Sequence, residues 1–226
     1  KGFNVTANIQ VNKDAEFNLI IDEGNGDFIN LKGEALFNGG IDPSGKITLV
    51  GSYEISQGSY ELSFNFIKRR FDIQKGSKIV WTGEPTKADI NISAVYVANA
   101  SPLDLVQNQI NTTNLALRNT YLQKLPFEVW LTMKGELLRP SVTFDIRLPE
   151  DKSYIVDRSI IEVVQNKLLQ IREEPGEINK QVFALLLLSR FVNENPFNNS
   201  NGGLDPAEFA RQSVSKLLSE QLNSLA

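Results

Sequence analysis

The residues able to do acid–base chemistry in this sequence are carboxylates standing close in pairs: Asp14/Glu16, Asp22/Glu23 and Glu173/Glu174. Two such groups can act as general acid and base only where a further group holds the substrate or attacks it. Each pair falls in a turn or loop by local residue type, with no nucleophile motif beside it. Asp22-Glu-Gly-Asn-Gly-Asp27 offers oxygen ligands of the kind calcium takes, but it lacks the EF-hand spacing and its closing glutamate, so it reads as a hairpin turn. The chain has no cysteine and no histidine. Thiol nucleophiles, disulfides, thiolate metal sites, Ser-His triads and imidazole bases are removed together. The expectation is a protein that is not an enzyme, with no catalytic residue, no metal and no cofactor.

Charge excludes a second class. The net charge is −4 over 226 residues, so no basic face marks a nucleic-acid partner. The basic run Lys68–Arg69–Arg70 lies inside a strand pattern. Lys1 is not an initiator residue, so the sequence reads as a piece of a longer chain, any membrane anchor lying upstream. The apolar run from Val182 to Leu188 is far short of the ~20 residues a spanning helix needs. No membrane span is expected within the sequence.

What remains is apolar patterning. Phe3, Val5, Ala7, Ile9 and Val11 alternate with polar residues, the period of a strand with one wet face. The same period recurs in Phe17–Ile21, Ile29–Phe37, Ile47–Ile55, Tyr60–Phe66, Phe71–Ile73, Ile79–Trp81, Ile90–Ala94, Phe127–Met133 and Val142–Leu148. Ile41-Asp-Pro-Ser-Gly45 is a turn by residue chemistry. Gln57-Gly58 and Lys75-Gly-Ser77 read as short loops joining antiparallel neighbours in a meander. Gly33 and Gly51 fall on the apolar face, where a missing side chain permits curvature or close backbone approach. Ala98–Lys124 reads as an irregular excursion, with a short helix starting at Ser101-Pro102.

After Pro149 the period changes to that of a helix. Val156, Ile160, Val163, Val164, Lys167, Leu168 and Ile171 trace one face, and Ser159-Ile-Ile-Glu162 resembles a capping box. The stretch Gly176–Phe191 is apolar nearly all round and must be buried on most sides. Asp205-Pro206 starts a third helix, whose face runs through Ala210, Val214, Leu217, Leu218, Leu222 and Leu225. The expected fold is mainly β with C-terminal α-helices: a curved antiparallel sheet with an apolar concave face that helices plug or cap. Residues 1–149 would form the sheet and 150–226 the helical region.

The order and spacing of certain residues resemble a known family. Gly58-Ser-Tyr60-Glu-Leu62, Arg70-Phe71-Asp-Ile73, Lys75-Gly-Ser-Lys-Ile79-Val-Trp81-Thr-Gly83 and Ala88-Asp-Ile90-Asn-Ile92 look like the C-terminal domain of TamB, the translocation and assembly module protein. Leu125-Pro-Phe127, Gly135-Glu-Leu137, Pro140-Ser-Val142-Thr-Phe144-Asp-Ile146 and Asn179-Lys-Gln181-Val-Phe183 continue the likeness, which is strongest to the Bacteroidota version. The resemblance implies a β-taco, a half-open hydrophobic trough, in the periplasm of a Gram-negative bacterium. It also implies an inner-membrane anchor on the full-length protein and an outer-membrane-proximal position for this part. The implied partners are phospholipid acyl chains and an outer-membrane β-barrel of the TamA or barrel-assembly type. The implied roles are phospholipid transport to the outer membrane or, alternatively, assembly of outer-membrane proteins through a strand edge or the terminal helices. On the transport reading acyl chains would lie along Phe64, Phe66, Phe71, Ile79, Trp81, Ile92, Val129, Leu131, Phe144 and Ile146. Val182, Phe183, Leu186 and Leu187 would face the groove from a plugging helix.

Overall fold

The computed structural model describes residues 3–22, 27–64, 67–110, 113–137, 140–149 and 153–193. The helix expected from Asp205 lies outside them. Among the described residues the chain is mostly β. Strands β1 (Val5–Val11), β2 (Glu16–Asp22), β3 (Asp27–Ile41), β4 (Ile47–Phe64), β5 (Ile67–Ile73), β6 (Lys78–Gly83) and β7 (Ala88–Ala100) come first. Short helices α1 (Leu103–Val106) and α2 (Leu115–Tyr121) follow, then β8 (Leu125–Glu136), β9 (Ser141–Arg147), α3 (Arg158–Arg172) and α4 (Pro175–Leu188). One nine-stranded sheet runs β1-β3-β4-β5-β7-β8-β9, with β2 also on β3 and β6 between β4 and β7. The expectation of an antiparallel sheet followed by helices is met, since β1 to β7 pair antiparallel throughout.

The register corrects two of the loops. Gln57-Gly58 is not a hairpin turn; it lies inside the continuous strand β4. Lys32 pairs with Gln57 while Gly33 pairs with Ile55, so one residue is extra on β4. Such a bulge turns the strand while keeping it in the sheet. Gly58 fits it because a Cβ there would meet the Asn30 carbonyl oxygen at 2.8 Å. Lys75-Gly-Ser77 is likewise an excursion, after which the chain continues in the same direction. β5 and β6 together make one interrupted strand along β4, as β1 and β2 do along β3. A turn signal in sequence marks a departure from the ladder, and only long-range pairing decides whether the chain reverses.

The glycine expectation holds. A Cβ on Gly33 would sit 2.2 Å from the Glu54 carbonyl oxygen, which no side chain tolerates. Gly51 has φ +151 and its absent Cβ leaves room for the Phe37 ring. The turn expected from Ile41 begins at Asp42, because Ile41 still pairs with Ile47 as the last residue of β3; Gly45 has φ +86 and the Asp42 carboxylate accepts from the Ser44 and Lys46 amides.

The chain divides into two compact units, residues 3–95 with Leu131–Thr143, and Tyr96–Trp130 with residues 144–193. In the second unit Leu125, Phe127 and Val129 alternate inward on β8. Helix α3 buries Ile160, Val164, Lys167, Leu168 and Ile171, close to the expected face. Its N-cap is Asp157, which makes no side-chain cap bond, so the capping box at Ser159 does not form. The Ser101-Pro102 helix start is present as α1, and Asn114 caps α2 by accepting from the Leu117 amide. Pro175 and Gly176 belong to α4 instead of preceding it: proline occupies the first turn, where an amide hydrogen would have no helical partner. Ser189, in the left-handed conformation, ends the helix before Arg190 and Phe191.

Candidate functional site

Paired residues of an antiparallel ladder put their side chains on one face. The register of the first unit therefore defines rows that cross the sheet. One row is Val5, Ile41 and Ile47. The next is Ala7, Gly39, Leu49 and Gly83; then Ile9, Phe37, Gly51, Trp81 and Ala88. The following row is Val11, Ala35, Tyr53, Ile79 and Ile90. Every member is apolar, glycine or tyrosine. This is one continuous apolar face four strands wide and more.

Burial along that face is graded. Ala35, Tyr53, Ile79 and Ile90 are all buried. Phe37 and Trp81 are half-buried and meet edge to face with ring centroids 5.3 Å apart. At the first row Val5 is 52% exposed, Ile41 44% and Ile47 55%. Phe3, Ile9 and Phe17 are exposed as well. Burying such a side chain is worth roughly 1.5–3 kcal/mol, and contiguous exposed apolar surface on a folded chain marks an interaction site. Polar side chains crossing the other face, such as Asn38 to Asn8 and Asn30 to Asn18, bond to each other. That face is mainly polar, though Leu36 and Val50 are also exposed on it.

The residues expected to line a groove fall mostly in cores. In the first unit Phe71, Ile79, Ile92 and Leu131 are buried, and Trp81 is half-buried with its indole nitrogen donating to the Pro85 carbonyl. The side chain of Phe64 and all of Phe66 lie outside the described residues. In the second unit Val129 and Ile146 are fully buried and Phe144 packs edge to face on Phe183. Sequence reasoning passed over Val5, Ile9, Ile41 and Ile47, which are the accessible apolar residues of the face. Alternation shows which face a residue belongs to, and it carries no signal for where cover stops.

Helix α4 is a core helix within its own unit. Ile178 and Gln181 to Leu186 are buried, including Val182, Phe183 and Leu186; Leu187 is half-buried and Leu188 exposed. Phe191 stacks edge to face on Phe127 at 4.7 Å. The buried Gln181 amide donates to the Val192 carbonyl and accepts from the Val192 amide, tying the chain after the helix back onto it.

The second unit also holds a shallow cavity of about 650 Å³ whose walls include Glu128, Trp130, Arg147, Leu169 and Arg172. Arg147 lies 4.4 Å over the Trp130 ring, and Asp145 binds Arg147 and Arg172 through separate oxygens at 2.8 Å each. Both arginines are thus paired, and Glu128 accepts from the Trp130 indole nitrogen. Of the carboxylate pairs, Asp14, Glu173 and Glu174 are exposed, and the centre of the Asp22–Asp27 segment lies outside the described residues. Hydrogen bonding from Asn30, with the nearby Lys32 charge, holds the Glu16 carboxyl below its usual range, as expected of an ion pair across a strand edge.

An antiparallel sheet of interrupted strands followed by helices agrees with the fold that the TamB-like motifs implied. The TamB C-terminal domain family model matches residues 1–226, the whole chain. The chain belongs to the TamB C-terminal domain family. That places it in a family of the Gram-negative cell envelope. No curated protein and no solved structure matches it. The family's motif residues Tyr60, Leu62, Phe71, Ile73 and Ile79 are all buried in the first unit, so in this TamB domain they serve packing. No helix among the described residues is long and apolar enough to cross a membrane.

Proposed function

We propose that this chain is the periplasmic, outer-membrane-proximal portion of a TamB-like bridge, and that its first unit offers an apolar sheet face to phospholipid acyl chains on their way to the outer membrane. The observation that supports it most is the uncovered end of that face, from Phe3 and Val5 through Ile9, Ile41 and Ile47. Acyl chains would lie on these rows with their headgroups in water. Leu131, Phe71, Ile79 and Ile92 would form the packed floor beneath the passage, and Trp81 its half-open margin. No side chain performs catalysis in this reading, and the full-length protein is held by an inner-membrane anchor outside the sequence.

The experiment is photocrosslinking from Ile9 and Ile47 in the protein purified gently from its envelope. Capture of phospholipid at both positions, with none from the polar-face residue Asn8, is the expected result. No lipid at either position would end this reading.

A second reading has its own support. Among the described residues strands β1 and β2 each pair on one side only, with β3, and an open strand edge is a template for strand addition. An outer-membrane β-barrel of the TamA or barrel-assembly type would dock there. Crosslinks from Thr6 or Gln10 to such a barrel, undiminished when the apolar face is made polar, would favour assembly over transport.

A further inference from the structure

Tyr53 carries the one buried side-chain polar atom that lacks a hydrogen-bond partner among the described residues. Its phenol sits on the apolar face, opposite Ala35 and Ile79, and only 5% of the residue is exposed. The hydroxyl end lies over Gly33: a Cβ there would come within 3.0 Å of the tyrosine Cζ. The Phe17 ring stands edge-on to it with centroids 5.6 Å apart, and Phe17 is itself 46% exposed. The unsatisfied donor is therefore positioned where the covered part of the face meets the open part.

A buried tyrosine hydroxyl ordinarily finds a partner. Leaving one without any is unfavourable, and phenylalanine would fill the same space with no such penalty. Burial pushes the phenol pKa up, so the group remains a protonated donor across the physiological range. What the site lacks is an acceptor. An acyl chain in hydrocarbon surroundings brings one acceptor at its end, the carbonyl oxygen. Phe17, half in solvent on β2, is free to change rotamer on a fast timescale and open the way.

Resting on the acyl-chain reading above, we propose that Tyr53 determines specificity by donating a hydrogen bond to the acyl carbonyl of a chain seated on the sheet face. The ligand class is an amphiphile with an acyl carbonyl, from an ester-linked lipid or a free fatty acid. An ether-linked chain of equal length satisfies the apolar rows but lacks the carbonyl oxygen, its one linkage oxygen lying nearer the headgroup.

The test compares binding of three probes to the whole chain and to Tyr53→Phe: dipalmitoyl phosphatidylethanolamine, its dihexadecyl ether analogue, and palmitic acid. One hydrogen bond of ordinary worth predicts that the unaltered chain prefers ester over ether about fivefold. Tyr53→Phe should abolish that preference while still binding the ether lipid as before. Loss of affinity for palmitic acid in Tyr53→Phe would extend the donor's use to free acids; retention with loss for the ester would confine it to ester lipids. Both outcomes support the role of the hydroxyl. Equal binding of ester and ether lipid by the unaltered chain overturns this inference and leaves the apolar face intact as a lipid site. Binding of none of the probes overturns the acyl-chain reading itself. Tyr53→Phe should also melt no lower than the unaltered chain; a lower midpoint would mean that the hydroxyl already has a partner and would sink the proposal independently.

Discussion

At the scale of single residues, the sheet is shaped by what is missing as much as by what is present. Gly33 faces the Glu54 carbonyl so closely that even a methyl group cannot enter. Backbone cannot yield as a flexible side chain can, so Gly33→Ala must push β3 and β4 apart at the bulge. The expected cost is about 2–3 kcal/mol, within the range of overpacked interiors, read from the urea midpoint of the purified chain. Gly76 is the control: a Cβ there meets nothing within 4 Å, and only its positive φ resists alanine, at about 1 kcal/mol. Gly33 and Gly51 were legible in the sequence because a glycine in an alternating strand asks for a reason. Gly58 was legible too, but its meaning was not. In isolation Gln57-Gly58 has turn chemistry, and the sequence holds nothing local to say that Asn30 of another strand approaches there.

At the scale of elements, amphipathic period set most of the answer and neighbours set the rest. Alternation in β7 and β8 placed Ile90, Ile92, Phe127, Val129 and Leu131 inward, as found. Strand ends were less legible: β7 continues to Ala100, into the stretch that composition marks as irregular. Helix α4 was conspicuous from its leucines, but the residue that fixes the chain behind it is polar. Gln181 is buried, and its amide closes both hydrogen bonds of Val192. A glutamine on an apolar helix gives no sign of such a role until the fold brings Val192 back. Gln181→Leu keeps the volume and strands a buried amide and carbonyl. Its cost should reach about 2–4 kcal/mol, because unsatisfied buried groups lose their full solvation. Phe191, whose ring rests on Phe127, should then lose protection. Faster hydrogen exchange at the amides following α4, with that at α3 preserved, is the expected pattern. Equal exchange throughout would mean that Gln181 is not what ties this segment down.

At the scale of the whole molecule, the question is why a folded chain leaves Val5, Ile9, Ile41 and Ile47 partly in water when the same face is covered at the row of Ala35, Tyr53, Ile79 and Ile90. Stability does not call for it. A polar residue at those positions would lose only partial burial, the four being 44–55% exposed, and exposed substitutions ordinarily shift stability by no more than about 0.5 kcal/mol. On the proposed reading, these apolar side chains serve a ligand. This leads to a prediction independent of any particular ligand. The unaltered chain should enhance the fluorescence of the dye anilinonaphthalene sulfonate under native conditions, despite a well-ordered near-ultraviolet circular dichroism signal. The triple variant Val5→Thr, Ile41→Thr and Ile47→Thr keeps the β-branched shape that strands favour and removes the apolar row. Dye fluorescence should fall severalfold while the urea midpoint stays nearly where it was. If fluorescence is unchanged, the dye binds elsewhere and this row is not an open surface in solution. If the midpoint drops as fluorescence falls, the row is packed, and the apolar face has cover that its exposed side chains do not suggest. A fall in fluorescence alone separates a face built for a ligand from one built for a core.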